Sequence, residues 1–507
     1  MLPFAAAGPV PVLTSDEMRA WDDRAIRSLG IPEAVLMESA GRAAAAIVDR
    51  LFPDGRVVCA IGAGNNGGDA LVVARVLRAW GREVSAVAAG ARPPDLALLH
   101  GWEMEVRSAD ELPATLAGAA VVVDGLLGTG ARGAPRQPEA DAIAAIRRSG
   151  APVVALDGPS GIDLTSGAAP GEAIRAAATV TFGAPKRGLL RFPGREHAGR
   201  IIAVEVGFPP LDAAGAELIT PRWAARHLPR VAPDAHKGTM GRVLVVAGRG
   251  GMAGAAVLAG LGALRAGAGY AIVVSPDENR AILQGTLPEA LFLDRRDLPD
   301  DFAASADAVV AGPGMGTDDE SLALLLRLAE GDAPLLLDAD AITLLAADPG
   351  VRDEIHRPLV LTPHPGEIAR LLGRGIPDVA ADPFAAAAEA AERFRCTVLL
   401  KGSPSVVAEA GAPTLVNVAG HSGIATGGMG DVLSGVVGAL LAAGAAPRAA
   451  AAAGLFHAGR AAEIAGRGRG LLPRDVAEAL PHALAEDPAT ESDLRLPGIL
   501  LDLAPPR

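Results

Sequence analysis

Seven short apolar runs without alternation constrain this chain more than any other feature: RVVCAIG (56–62), AVVVDG (120–125), PVVALDG (152–158), RVLVVAG (242–248), DAVVAGPG (307–314), PLLLDAD (334–340) and CTVLLKG (396–402). A strand with one face in water alternates apolar and polar residues, whereas a strand covered on both faces does not. Ala-rich helical stretches separate the runs, so the expected class is α/β with parallel sheets. At 507 residues the chain is too long for one ordinary core, and two domains follow. The pattern pauses between about 207 and 238, where five prolines fall and no strand-like run does. The expected domains are 1–215 and 216–507, with the polar stretch from about 484 peripheral.

Composition narrows the partners. The chain has 46 basic and 59 acidic residues, a net charge of −13. Such a surface argues against general binding of nucleic acid or anionic membrane. It leaves room for an anionic small molecule held by backbone amides. Cys59 and Cys396 fall in separate runs, so no disulfide framework or cysteine metal site is expected, and the compartment is read as the reducing cytoplasm. The start, MLPFAAAGPVPVL, has no basic segment and makes a poor signal peptide. The apolar stretches 251–274 and 435–460 are broken by Arg265 and by Pro447-Arg448 and read as buried helices. The expected partners are small molecules, with the chain a homo-oligomer.

Polar residues gather where the runs end. VVCAIGAGNNGGDALVVARVL (57–77) reads as strand, glycine loop and helix, with Gly62, Gly64, Gly67 and Gly68 turning the chain close to a ligand. Asn65, Asn66 and Asp69 crowd a turn that needs at most one polar side chain. Asp124 and the loop Gly128, Thr129, Gly130, Ala131, Arg132, Gly133 and Ala134 end a second run, and Asp157 and Ser160 a third. One such Asp is ordinarily a turn residue. Three loops of one design at one sheet edge point to a shared pocket.

The second half repeats the arrangement. Glycine loops at 248–254 and 312–316 follow strands, and His364 sits between two prolines in LTPHPGE (361–367). In GIATGGMGDVLSGVVGALLAAG (423–444), Gly427, Gly428 and Gly430 lead into a helix beginning near Asp431. The free amides there suit a phosphoryl group. A carboxylate beside them can take a hydroxyl proton as its oxygen attacks phosphorus. A plain helix-start aspartate is the bland alternative.

LMESAGRAAA (36–45), NNGGDALVVAR (65–75), DGLLGTG (124–130) and DGPSGID (157–163) resemble the NAD(P)H-hydrate epimerase family, which implies a Rossmann-like first domain. The resemblance implies that Asn66, Asp124 and Ser160 hold potassium, whose oxygen ligands suit such a cation. It further implies that Asn65 to Asp69, the 128–134 loop and Asp157 hold the substrate, with Asp157 the general acid/base. Ser39 stands where that family usually has Asn.

HKGTMGRVLVVAG, GPGMG, LDADAI, LTPHPGE, LLKG and ATGGMGDVLSG together are similar to the ADP-dependent NAD(P)H-hydrate dehydratases, which implies a ribokinase-like second domain. His421, in AGHSG, stands where that family commonly has Asn. The resemblance implies Asp431 as catalytic base, and Lys401, Gly402, Ser403, Pro404, Ser405, Gly427, Gly428 and Gly430 around ADP. Ala255, Gly316 and His364 would face the substrate, and magnesium the ADP phosphates. The combined expectation is repair of hydrated NADH and NADPH: epimerisation at nicotinamide C6, then ADP-dependent dehydration giving AMP and phosphate. The rival is a ribokinase-like small-molecule kinase with a non-catalytic N-terminal binding module.

Overall fold

The computed structural model of the chain describes residues 4–5, 9–488 and 492–506. The chain divides into two compact units, one running to Thr220 and resuming near the C-terminus, the other spanning Pro221–Pro488. Of the N-terminal stretch read as a poor signal peptide, residues 1–3 and 6–8 lie outside the described residues.

All seven apolar runs contain strands. In the first unit, Val57–Ile61, Val121–Gly125 and Val153–Leu156 are buried along their whole length. They belong to a sheet whose order is Val106–Arg107, Val84–Ala88, Val57–Ile61, Val121–Gly125, Val153–Leu156, Ala178–Phe182 and Arg200–Val204, all parallel. Helices Glu33–Leu51 and Asn65–Ala79 supply one covering layer, and Glu139–Ser149 with Leu112–Leu116 the other. Two covered faces explain the missing alternation.

Val57–Ile61 pairs with the strand that follows it on one side and with Val121–Gly125 on the other. Strand order reverses there, and such a switch point opens a crevice at the strands' carboxyl ends. The second unit does the same. Arg242–Val246 lies between Tyr270–Ser275 and Ala308–Ala311, which places the loops 248–254 and 312–316 at its switch point. Its parallel run continues through Leu335–Leu337, Leu359–Leu361 and Thr397–Leu400. Ser405–Ala408 and Thr414–Asn417 then add antiparallel strands. The apolar stretches weighed as membrane spans form the helices Ala253–Arg265, Met429–Ala442 and Pro447–Ala465. Among the described residues no helix is long and apolar enough to cross a membrane. Cys59 is buried within its strand, while Cys396 is buried just ahead of Thr397–Leu400.

Three expectations are corrected. The proline-rich segment does contain a strand, Ala216–Leu218, which pairs antiparallel with Val10–Val12. It is only three residues long, too short to register as a run. The segment after 484 is not peripheral, and 216–507 is not one unit. Ile499–Leu503 pairs antiparallel with Arg200–Val204 in the first unit's sheet. The buried Asp502 carboxylate accepts from Arg200 Nε at 2.8 Å and Nη2 at 2.6 Å. Covered strands need partners for every backbone group, and this late strand supplies them at an otherwise open edge.

Leu501 is fully buried in that strand. Leu501→Ala is expected to destabilise the first unit by about 2–5 kcal/mol. Denaturant unfolding checks this, and an unchanged midpoint would place the tail outside the core.

Candidate active sites

Glycine sets the geometry of the first site. A Cβ on Gly62 would lie 2.0 Å from the Leu126 carbonyl oxygen, and one on Gly67 would lie 2.0 Å from the Gly62 carbonyl oxygen. These two glycines let helix Asn65–Ala79 close onto the strand ends, so Gly67 serves packing and not ligand approach. A Cβ on Gly68 would likewise meet the Met37 sulfur at 2.6 Å. Gly64 alone of the four has open space around it.

The cavity thus formed has a volume of about 820 Å³. Asn65, Asn66, Asp69, Asp157 and the loop Gly128, Thr129, Gly130 and Ala131 line it. Gly67, Gly68, Arg132, Gly133 and Ala134 do not. Arg132 turns away to Asp16, which accepts from its Nη2 at 2.8 Å. Asn65 donates to Glu33 at 2.6 Å. Ser39 makes an ordinary helical bond to the Val35 carbonyl at 2.9 Å.

Asn66, Asp124 and Ser160 meet, although they stand at or after the ends of three different strands. Ser160 Oγ donates to Asp124 Oδ1 at 2.6 Å, and the Ser160 amide to Oδ2 at 2.9 Å. Both Ser160 Oγ and Asn66 Nδ2 lie on the Leu127 backbone, the first accepting from its amide at 2.9 Å and the second donating to its carbonyl at 3.0 Å. Asn66 Oδ1 is buried without a hydrogen-bond partner. Burial pushes the Asp124 carboxyl up to about 6, against the opposing effect of the Ser160 bonds. Among the described residues no three His, Cys, Asp or Glu side chains cluster for a metal. The donors here are oxygens, one of them a carboxylate, and suit a weakly polarising monovalent cation.

Asp157 adopts φ +62°, a left-handed conformation that is costly for a residue with a Cβ and concentrates at functional sites. Its Oδ1 accepts from Lys186 Nζ, and its Oδ2 from the Thr129 amide at 3.3 Å. Lys186 is 1% exposed and also donates to Thr181 Oγ1 at 3.0 Å and the Phe182 carbonyl at 2.9 Å. Sequence reasoning missed Lys186. Its signal was a lone lysine directly after the run ATVTFGAP, ahead of further apolar residues. Asp22, which also lines the cavity, sits on an early helix and carried no signal.

In the second unit, Gly428 at φ +90° precedes helix Met429–Ala442. Gly427 is exposed and Gly428 half-buried at the start of this turn. Asp431, in the first helical turn, is pushed up to about 6 by burial and by the neighbouring charges of Asp338 and Asp340, with Lys401 opposing. Lys401 Nζ donates to Asp338 Oδ1 at 2.7 Å, and Ser434 Oγ to Asp338 Oδ2 at 2.7 Å. A Cβ on Gly430 would stand 3.3 Å from Lys401 Nζ, so glycine there leaves room for the ammonium beside the turn. Burial lowers the proton affinity of Lys401, but Asp338, Glu367 and Asp431 together raise it above the ordinary value. Asp338 was missed as an individual residue, because LDADAI reads equally well as a strand end with helix-start acids.

Other expected residues make local contacts. His364 Nδ1 accepts from the amides of Gly366 at 3.0 Å and Glu367 at 3.3 Å, capping helix Pro365–Leu372. His421 caps the short turn Ser422–Ile424, accepting from the Gly423 amide at 2.9 Å. The Gly402 amide donates to Ser405 Oγ at 3.1 Å; Ser403 is exposed and Pro404 buried. The Gly316 amide donates to Asp340 at 2.9 Å, and Ala255 is buried against Gly314. A concavity of about 500 Å³ in this unit is bounded by Gly250, Gly251, Ala253 and Gly254 of the expected glycine loop, with Glu278 and Ile282.

Asp338→Asn removes a negative charge beside Asp431 and takes from Lys401 its directly bonded carboxylate. Asp431 then ionises more readily, and its titration, expected near pH 6, should move to lower pH. Carboxyl NMR titration reads this directly, and an unmoved midpoint would refute the coupling.

Residues 33–188 match the family described as YjeF-related protein N-terminus, and residues 243–482 the family described as NAD(P)H-hydrate dehydratase. A bifunctional NAD(P)H-hydrate repair enzyme of Coxiella burnetii is 38% identical over 487 residues, covering 92% of this chain and 97% of that one. The enzyme of the same description from Escherichia coli K12 is 38% identical over 474 residues, covering 90% of each. The ADP/ATP-dependent NAD(P)H-hydrate dehydratase of Bacillus subtilis, co-crystallised with ATP and magnesium, is 27% identical with a TM-score of 0.47, covering 52% of this chain and 96% of that one. Matched along nearly its whole length by such relatives, the chain belongs to the family of bifunctional NAD(P)H-hydrate repair enzymes.

Proposed function

We propose that the chain restores hydrated NADH and NADPH at two separate sites, one in each compact unit. The first unit interconverts the R and S hydrates at nicotinamide C6. The second dehydrates the S hydrate with ADP, giving AMP and phosphate. The observation that carries the second reaction is Asp431 beside an open glycine turn, with the Lys401 ammonium next to Gly430. Hydroxide is a poor leaving group and phosphate a good one. Asp431 takes the C6 hydroxyl proton as that oxygen attacks the terminal phosphorus of ADP. The turn amides and Lys401 hold the charge on the transferring group, and phosphate then leaves. Magnesium on the ADP phosphates would neutralise further charge.

In the first unit, Asp157 is the base at the hydrated ring carbon. Its carboxylate is oriented by Lys186 and the Thr129 amide. Asn66, Asp124 and Ser160 would hold potassium, which would order the Leu127 backbone and the loop after it. The orphaned Asn66 Oδ1 supports this reading. A small-molecule kinase with an idle first domain is disfavoured by the charged cavity of that unit, which a scaffold does not need. The buried, unpaired cysteines support a cytoplasmic setting, the net charge of −13 supports small-molecule partners over nucleic acid, and a homo-oligomer is proposed for light scattering to test.

Asp431→Asn is expected to lower ADP-dependent dehydration by about two to four orders of magnitude, with ADP affinity largely kept. The same protein should still interconvert the epimers on chromatography without ADP. Dehydration within a few-fold of wild type, read as absorbance recovery of NADH, would refute the assignment of Asp431.

Potassium should support epimerisation better than lithium. Asp124→Ala should weaken substrate binding in the first unit and spare dehydration of the S hydrate. Equal rates in the two salts, with Asp124→Ala binding as well as wild type, would remove the cation from the proposal.

A further inference from the structure

We propose that Asp69 is the general acid of the epimerisation, working opposite the Asp157 carboxylate as its base. This rests on the epimerase reading of the first unit and names the second half of its proton machinery.

Of the charged groups lining the first unit's cavity, Asp69, Asp157 and Lys186 are buried, and Asp22 is half-buried beside them. One ammonium cannot compensate three carboxylates in a confined space, so a proton stays behind on one of them. Lys186 is committed to Asp157 by a direct contact. Asp69 is 8% exposed, faces the cavity, and makes no hydrogen bond or ion pair among the described residues. An unpartnered buried carboxyl is the cheapest of the three to keep neutral. Asp22 is more exposed.

The charged groups around Asp69 come from every element that packs there. Glu33 begins helix Glu33–Leu51, Asp22 lies on helix Ser15–Asp23, and Asp157 and Lys186 follow their strands. Arg19, Asp23, Arg27 and Arg92 are exposed lining residues of the same cavity, and Glu139 is a half-buried one. Burial, then the negative charges of Asp157 and Asp22, hold Asp69 well above the usual carboxylate range, against a smaller pull from Lys186. Asp22 is pushed up to about 6, again mainly by burial.

The chemistry at C6 needs both an acid and a base. C6 bears a hydroxyl and is bonded to ring nitrogen N1, so it inverts as a sugar anomeric carbon does, by opening and reclosing. Asp157 takes the hydroxyl proton, and the O–H electron pair becomes the second C–O bond of an aldehyde. The C6–N1 bond breaks, its pair goes to N1, and N1 takes the Asp69 proton. After rotation about the C5–C6 bond, N1 attacks the other face. Asp69 then recovers its proton from N1, and Asp157 returns its own to the oxygen. No oxidant or co-reactant enters, and the site ends each turnover as it began.

The test uses the full chain with purified NADH hydrates, without ADP, and follows epimer interconversion above the uncatalysed background. Because Asp69 works protonated, the wild-type rate must fall as pH rises through its titration. Asp69→Asn is isosteric and neutral, so a binding or structural role survives it but a proton donor does not. The expected result is a kcat lower by about two orders of magnitude or more, KM within a few-fold, and the alkaline fall gone. Asp22→Asn should keep that fall.

A kcat for Asp69→Asn within a few-fold of wild type overturns the proposal, as does loss of the alkaline fall in Asp22→Asn instead. If Asp69→Asn does not fold, the wild-type profile decides, and a rate flat into the alkaline range overturns the proposal. A wild-type chain that interconverts no epimers fails earlier, at the epimerase reading itself.

Discussion

An ammonium drawn out of water must be matched by a carboxylate, and each unit holds one such pair at its sheet's carboxyl edge, fully buried at Lys186 and partly at Lys401. Lys186 with Asp157 serves the first unit, and Lys401 with Asp338 the second. Removing one partner from such a pair leaves an uncompensated charge in a poorly polarisable interior. Each pair therefore holds its loop in one place. In the first unit the pair fixes the left-handed turn at Asp157, together with the Thr129 amide on the neighbouring loop. In the second, Asp338 ties the end of one strand to Lys401 and to Ser434 on the helix that carries Asp431.

The same pairs shape the electrostatics available for catalysis. Charges near a carboxyl group raise or lower its proton affinity according to their sign, and burial amplifies the effect. Asp431 stands close to Asp338 and Asp340 and is opposed only by Lys401, which is already bound to Asp338. Asp69 and Asp22 stand near Asp157 and share a single lysine with it. Both sites thus keep a carboxyl group whose proton is held above the ordinary carboxylate range, a property that suits acid–base catalysis.

Glycine has a different part from the one its abundance in the loops suggests. The pattern GAGNNGGD invites the reading that every glycine faces a phosphate. At Gly62 and Gly67 the obstacle to a side chain is neighbouring backbone, not a ligand. A one-dimensional pattern cannot separate these cases, because both demand the same missing Cβ. The same ambiguity hides His364 and His421, whose ring nitrogens are occupied as helix and turn caps. A histidine in a proline loop looks equally ready for either role until its partners are known.

What the sequence by itself determined was the class of fold, the strands in its seven apolar runs and the glycine loops that end them. Those features are local, since uniform apolarity, turn chemistry and motif spacing act over a few residues. Tertiary structure alone decided which distant groups meet. It returned Ile499–Leu503 to the first sheet, because an edge some three hundred residues earlier needed a hydrogen-bonding partner. It brought Asn66 at a helix start and Ser160 in a loop onto the backbone of Leu127, with Ser160 also bonded to Asp124 at a strand end. It also set Lys186 against Asp157 and Lys401 against Asp338. Coulomb energy depends on separation in space and on burial, and neither is written in the spacing of residues along the chain.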